Sequence, residues 1–420
     1  MKKLMTIALA MMVSCGAFAQ VATLKEAMSL AGKDADKAAE MVKGAVNDAS
    51  VTDKDRAAAY NALAQAYGDI YAKIATVELE NQTLAKMGRE AKPVDAEKMN
   101  SSIYECYKNL LECDKYDAQP DAKGKVKPKF RKANCTKYYN MRPNLVNAGL
   151  TYFNERNFDM AKKAWSVYLD SKSSDLFAEK AAEPDQYLTQ CAYFVVLAAY
   201  NTDDAETLNK YVELAKTDPE KAKDAMQLDV AMLDKQYKAT KDVALLDLMA
   251  KKAQDAYDKT KDQMFFNTVM YTLQEKKDEA ALLKHLDEFA AKNPESVLPN
   301  IYKGDMAMNA GKYQEAVENY NKVAAKDDKN VALFYNIAVC YRNIASEFAE
   351  THATKGQLTG ANADKYKEYL SHAAENFEKV RALDPNQETG KFAYLLYSIY
   401  SGMGEKEKAA EIKATYNIQD

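Results

Sequence analysis

The sequence predicts an all-α fold, a solenoid of about six to seven stacked helix pairs. Three observations carry this prediction. One pattern recurs at a spacing of 34 residues, with Phe266, Asn300 and Phe334 opening successive helix pairs. A fixed period of a few tens of residues marks a repeat array, in which a lone unit cannot bury its apolar face and stacking completes the core. Apolar residues return at helical spacing almost throughout, and no segment alternates as a strand would. Helix breakers are scarce, at 14 Gly and 9 Pro in 420 residues, while Ala, Lys, Glu, Leu and Tyr dominate and no Asn-Gly or Asp-Gly hairpin turn occurs.

The chain begins with a targeting segment over 1–19. Lys2 and Lys3 give a positive start, Leu4 to Val13 an apolar run, and Ala17-Phe18-Ala19 a small-x-small cleavage site before Gln20. That run is too short to span a bilayer, and no later stretch is long enough, so the mature chain is expected to have no transmembrane segment. Met12-Val13-Ser14-Cys15 loosely resembles a lipoprotein box, but the Ala-Phe-Ala site fits better. The ending Phe18-Ala19-Gln20 resembles signal peptides of Bacteroidota. That resemblance implies export to a Gram-negative periplasm, with outer-membrane association as a variant.

An N-terminal helical region is expected over 20–140. Leu24 to Val46 reads as one Ala-rich helix. A second starts near Asp53, a good cap type with Asp55 in the first turn, and carries the stripe Tyr60, Leu63, Ala64, Tyr67, Ile70, Ile74, Val77. Ile103, Tyr107 and Leu110 mark its partner, and the long gap between them requires an extended helix or an insertion. Tyr116 to Lys129, with Pro120, Gly124 and Pro128, reads as the clearest linker. It opens a basic run of Lys123, Lys125, Lys127, Lys129, Arg131, Lys132 and Lys137, read as a solvated linker in preference to an anion or membrane contact.

Central helix pairs are expected over 141–260. Leu145, Ala148, Gly149 and Tyr152 mark one first helix, and Phe158, Ala161 and Trp165 its second. Tyr193 to Tyr200 starts a weaker pair that ends at Pro219, and Ala225 to Tyr257 reads as another. The C-terminal array, 261–420, holds Phe266 to Phe289, then Asn300 to Val323 with Gly304, Ala316 and Tyr320, then Phe334 to Tyr341. The second helix of this last unit comes 23 residues late, so an insertion is expected at 346–365 before Ala373, Phe377 and Val380. Leu396, Tyr400 and Ala409 mark a degenerate final unit.

These positions resemble the tetratricopeptide repeat, a 34-residue helix–turn–helix unit. Phe334-x-x-Ile337-Ala338-x-x-Tyr341 is similar to its first helix, and Ala373-x-x-x-Phe377-x-x-Val380, closed by Pro385, to its second. The resemblance explains the small residues. Gly149, Gly304 and Ala338 sit where paired helices cross closely, faced by Ala161, Ala316 and Ala373, while aromatics fill the space between pairs. Asn300 and Lys303 depart from the large apolar residues the family prefers.

Composition excludes some functions. A net charge of −4 with 29% charged residues gives no case for nucleic acid. His285, His352 and His372 have no metal-ligand spacing, and no nucleophile elbow or phosphate loop occurs, so no cofactor and no catalytic residue is expected. Cys106, Cys113, Cys135, Cys191 and Cys340 remain after the leader, an odd number. Cys106 or Cys113 could bridge to Cys135, or all could be buried thiols acting as small apolar residues.

The resemblance implies that first helices line a concave, partner-binding face. That places Asn267, Tyr271 and Gln274, then Ile301, Asp305 and Met308, then Tyr335, Val339 and Arg342 in the groove, each trio on one helix face. The expectation is a noncatalytic protein or peptide scaffold of the cell envelope, with the 346–365 insertion as a lid beside Tyr335 and Arg342. The alternative is glycan capture, since outer-membrane starch-binding-type lipoproteins of Bacteroidota carry such repeats; but they are Trp-rich, and the one Trp here falls on a core position.

Overall fold

A computed structural model describes residues 19–121, 123–387 and 390–419. Residues 1–18, which hold Cys15 and all of the leader but Ala19, lie outside the described residues. The chain divides into two compact units, 1–272 and 273–420. Among the described residues the regular structure is helical, apart from one isolated bridge between Thr354 and Gln357. The fold is all-α and TPR-like, as the sequence predicts.

In the first unit, residues 19–31 form α1 and Ala35–Ala45 form α2. The single helix expected over Leu24–Val46 is therefore two. Asp34 caps α2 by accepting from the Lys37 N–H at 3.0 Å, and Gly32-Lys33-Asp34 makes the corner. The next pair is α3, Asp53–Lys86, with α4, Ala96–Asp117. Thr52, not Asp53, is the cap of α3: its hydroxyl accepts from the Asp55 N–H at 3.2 Å. The extra chain in this unit is helix, since α3 runs 34 residues, roughly 50 Å.

After the linker come α5, Arg131–Tyr138, then the pairs α6, Pro143–Asn154, with α7, Phe158–Ser173; α8, Leu188–Asn201, with α9, Ala205–Ala215; and α10, Ala222–Thr240, with α11, Ala244–Thr260. α12, Gln263–Glu275, contains the point of division. The second unit continues with α13, Glu279–Lys292; α14, Leu298–Asn309, paired with α15, Tyr313–Ala324; α16, Val331–His352, paired with α17, Ala361–Leu383; and α18, Ala393–Met403, paired with α19, Lys406–Thr415.

The close crossings sit where the sequence places them. A Cβ on Gly149 would lie 2.2 Å from Trp165 Nε1, and one on Gly304 would lie 2.4 Å from Tyr320 Cε1. Glycine and aromatic are sixteen residues apart in both pairs. Ala338 and Phe377 are both fully buried and lie 39 residues apart, sixteen plus the 23-residue excess. Trp165 is fully buried and donates from Nε1 to the Val146 carbonyl at 3.1 Å. Of the two departures, Asn300 is half-buried and Lys303 pairs with Asp287 of α13.

The 346–365 insertion is not a lid. α16 simply continues to His352, a tight turn follows, and α17 begins at Ala361. Ala345 and Leu370 are buried, and Phe348 packs edge-on against Tyr369 at 5.7 Å. These contacts hold the two extensions against each other as a lengthened hairpin.

Candidate protein-binding surface

Five core tyrosines bury their rings and tie their hydroxyls to carboxylates. Tyr67 donates its hydroxyl to Asp36 at 2.9 Å, Tyr211 to Asp170 at 2.8 Å, Tyr320 to Asp305 at 2.6 Å and Tyr400 to Glu378 at 2.8 Å. Tyr168 likewise donates to Asp185. Each ring is buried while its polar tip finds a carboxylate on another segment, so the ring gains apolar burial without an orphaned hydroxyl. Burial first, and the carboxylate second, push Tyr67, Tyr168, Tyr320 and Tyr400 well above the ordinary tyrosine range.

Two of the predicted groove residues line a real groove in the first unit. Asn267 and Tyr271, with Met264 and Thr268, form one wall on α12; Gln227, Val230, Ala231, Asp234 and Lys238 form the other on α10. Both walls follow helical spacing, and Met249 of α11 closes the floor of a cavity of about 420 Å³. Met264 is 38% exposed. Asp234 Oδ2 accepts from Lys238 Nζ at 2.6 Å, and Asp234 holds that ammonium above its usual range. Asp234 Oδ1 is buried and, among the described residues, has no hydrogen-bond partner. An apolar floor with a buried, unused acceptor suits a partner that brings an apolar side chain and a donor together.

The other predicted positions lie in the second unit and differ among themselves. Gln274 is exposed and borders a separate hollow of about 460 Å³ with Lys277, Leu282, Met306 and Asn309. Ile301 and Met308 are half-buried against the core, and Asp305 is taken by Tyr320. Tyr335 packs edge-on against Phe377 at 5.5 Å and covers Gly390, where an added Cβ would meet its ring at 2.9 Å. Val339 is half-buried against the same core, and Arg342 is half-buried. The i, i+4, i+7 spacing is right for one face, but on α14 and α16 much of that face is turned to neighbouring side chains.

A larger cleft went unread in the sequence. About 1010 Å³ lies between α2 and α4, floored by Tyr60, Leu63 and Tyr67 of α3. One wall carries Asp36, Lys37, Glu40 and Lys43, the other Glu105, Lys108, Glu112 and Lys115. Tyr60 stacks on Tyr116 at 5.9 Å. The signal was hidden because the α1–α2 break was missed, and with it the wall that α2 supplies.

Among the described residues, no group of three His, Cys, Asp or Glu side chains is placed to hold a metal, and no helix is long and apolar enough to cross a membrane. Among the described residues, Cys106, Cys113, Cys135, Cys191 and Cys340 are free and buried. Burial lifts the Cys113 and Cys340 thiols to about 12 and Cys106 and Cys191 well above the ordinary range, away from thiolate reactivity.

No protein-family model and no curated protein matches the chain. Several solved helical-repeat structures are similar to it at low identity. A TPR-repeat protein from Bacteroides fragilis shares 16% identity, covering 65% of this chain and 98% of its own, at a TM-score of 0.28. The human IFIT1 dimer with m7Gppp-AAAA shares 17%, covering 82% and 73%, at 0.34. The Cut9–Hcn1 hetero-tetramer of the APC/C shares 11%, covering 90% and 82%, at 0.23. The TPR-like assignment rests on the chain's own 34-residue period and on the matched Gly149–Trp165 and Gly304–Tyr320 crossings.

Proposed function

We propose that this chain is a noncatalytic protein-binding scaffold of the cell envelope, and that the groove between α10 and α12 takes a segment of its partner. The observation that carries the reading is the groove's make-up: Val230, Met249, Met264 and Tyr271 around the unused Oδ1 of Asp234. Such a site reads side chains, with an apolar anchor for affinity and a buried acceptor for selectivity. Asn267 and Tyr271 belong to this groove. Gln274, Asp305, Met308, Tyr335, Val339 and Arg342 remain candidates for a further contact surface on the second unit, with Gln274 the most accessible. Export rests on the leader-like start, with Lys2, Lys3 and Ala17-Phe18-Ala19.

The test is capture of the partner from an envelope extract by the wild type and by Met264→Glu plus Tyr271→Ala. Both substituted side chains are at least partly exposed, so the variant is expected to melt like the wild type. Loss of the partner by a folded variant supports the groove. Equal recovery removes it.

A further inference from the structure

Two helix pairs of this chain differ at one position that shapes the α10–α12 groove. In the pair α14–α15, Asp305 stands fifteen residues before Tyr320, and the phenol donates to that carboxylate at 2.6 Å. In the pair α10–α11, Asp234 stands fifteen residues before Met249, and both line the groove. Each pair turns through a corner of three residues, 310–312 and 241–243. The shared interval therefore puts Asp234 and Met249 in the register of Asp305 and Tyr320. The Gly304–Tyr320 crossing has its counterpart in Leu233 and Met249, also sixteen residues apart and both buried.

A thioether in place of a phenol has two consequences. It has no hydrogen to donate. Asp234 Oδ2 is taken by Lys238, while Oδ1 is buried and, among the described residues, has no donor. A buried acceptor left in this state is costly. Methionine also fills less space than a tyrosine ring, and a cavity of about 420 Å³ lies beside it. Elsewhere the chain meets such carboxylates with tyrosines. Tyr67 donates to Asp36, Tyr211 to Asp170 and Tyr400 to Glu378, each across two helices. At Asp234 the acceptor and the space are present and the tyrosine is not.

We propose that the partner supplies it: the groove takes a tyrosine side chain, its ring against Met249 and its hydroxyl donating to Asp234. This names the anchor of the partner segment and rests on the reading of the groove as a partner site. Lys238 already neutralises Asp234, so a neutral donor suits the site better than Arg or Lys, which would compete with that ammonium. A phenylalanine would fill the space and leave the acceptor unmade. The sulfurs of Met249 and Met264 favour an aromatic neighbour. Met264 and Lys238 are exposed on flexible stems, and their movement admits the ring to the buried oxygen.

The test uses the full mature chain as bait for a phage-displayed library of random peptides. The wild type should select peptides with tyrosine at one fixed position, and Met264→Glu with Tyr271→Ala should not bind them. Replacing that tyrosine by phenylalanine in the best peptide should weaken binding about tenfold by fluorescence anisotropy, an ordinary loss for one hydrogen bond to a charged acceptor. Asp234→Ala, which removes only a partly exposed pair with Lys238, should bind the two peptides alike. Met249→Tyr supplies the phenol from within, as Tyr320 does; it should melt no lower than the wild type and bind neither peptide. Selection of phenylalanine, arginine or lysine at the anchor position overturns the proposal, as does an equal affinity of the wild type for the two peptides. Selection of no peptide, or of peptides that Met264→Glu with Tyr271→Ala still binds, also overturns it. The envelope capture judges the groove separately. A partner lost by Met264→Glu with Tyr271→Ala but fully kept by Asp234→Ala leaves the groove standing and removes the tyrosine.

Discussion

Adding one methyl group at Gly149 tests the helix-pair register where it is tightest. In an open helix Gly→Ala is stabilising by roughly 0.5–1 kcal/mol, because glycine loses more backbone freedom on folding. At position 149 the new Cβ would lie 2.2, 2.4 and 2.6 Å from three atoms of the Trp165 indole. That ring has nowhere to retreat: it is fully buried, tied to the Val146 carbonyl, and flanked by Phe153 at 5.8 Å and Phe194 at 5.2 Å. Overpacking of this kind costs about 1–3 kcal/mol. Set against the helix gain, Gly149→Ala should lose about 1–2 kcal/mol. For a unit of this size that lowers the melting midpoint by roughly 2–8 °C. Trp165 is the single tryptophan, so its fluorescence follows melting of its own surroundings. The control is Gly44→Ala near the end of α2, where a Cβ meets nothing within 4 Å; it should melt at or slightly above the wild type. A Gly149→Ala variant melting at or above the wild type would refute this close crossing.

Two further outcomes follow from buried groups. The raised pKa values of Tyr67, Tyr168, Tyr320 and Tyr400 keep these phenols protonated in the fold while the unfolded chain ionises them near pH 10. Their stabilisation is complete below that pH and is lost above it, by about 1.4 kcal/mol per pH unit for each tyrosine, so alkaline unfolding should coincide with late phenolate absorbance; a smooth titration of every tyrosine near pH 10 in a folded chain contradicts this. A thiol reagent should find essentially none of Cys106, Cys113, Cys135, Cys191 and Cys340 reactive in the native mature chain and all of them after denaturation, whereas a disulfide would leave two silent in both states.

Much of the fold was legible because it rests on side-chain size at fixed intervals. Gly149, Gly304 and Ala338 could be placed before any coordinates, since a close helix crossing accepts nothing larger. The corners were harder. Gly311 and Gly404 announce their turns, but Arg156, Asp203, Lys241, Lys261 and Lys277 take the same left-handed conformation with no glycine to reveal it. The α1–α2 break rests on an Asp34 cap that resembles any solvated aspartate. The insertion was found by counting, yet its form was misjudged, because Ser346 to Lys365 contains Gly356 and Gly360 and hides two helix extensions around one turn. The candidate site was legible only in part. Helical spacing puts Asn267 and Tyr271 on one face of α12, where both border the cavity facing α10, but it could not tell that Asp305 would be held by Tyr320 or that Tyr335 would cover Gly390. Those outcomes depend on residues in other helices.

The proposed seat of a protein partner is the groove between α10 and α12. A photocrosslinking residue at Thr268, inside the groove, and another at Lys163, exposed on α7, address it in the living cell. A partner seated there gives a discrete protein adduct from position 268, absent from 163 and abolished by Met264→Glu with Tyr271→Ala. Adducts from 163 with none from 268 would contradict it.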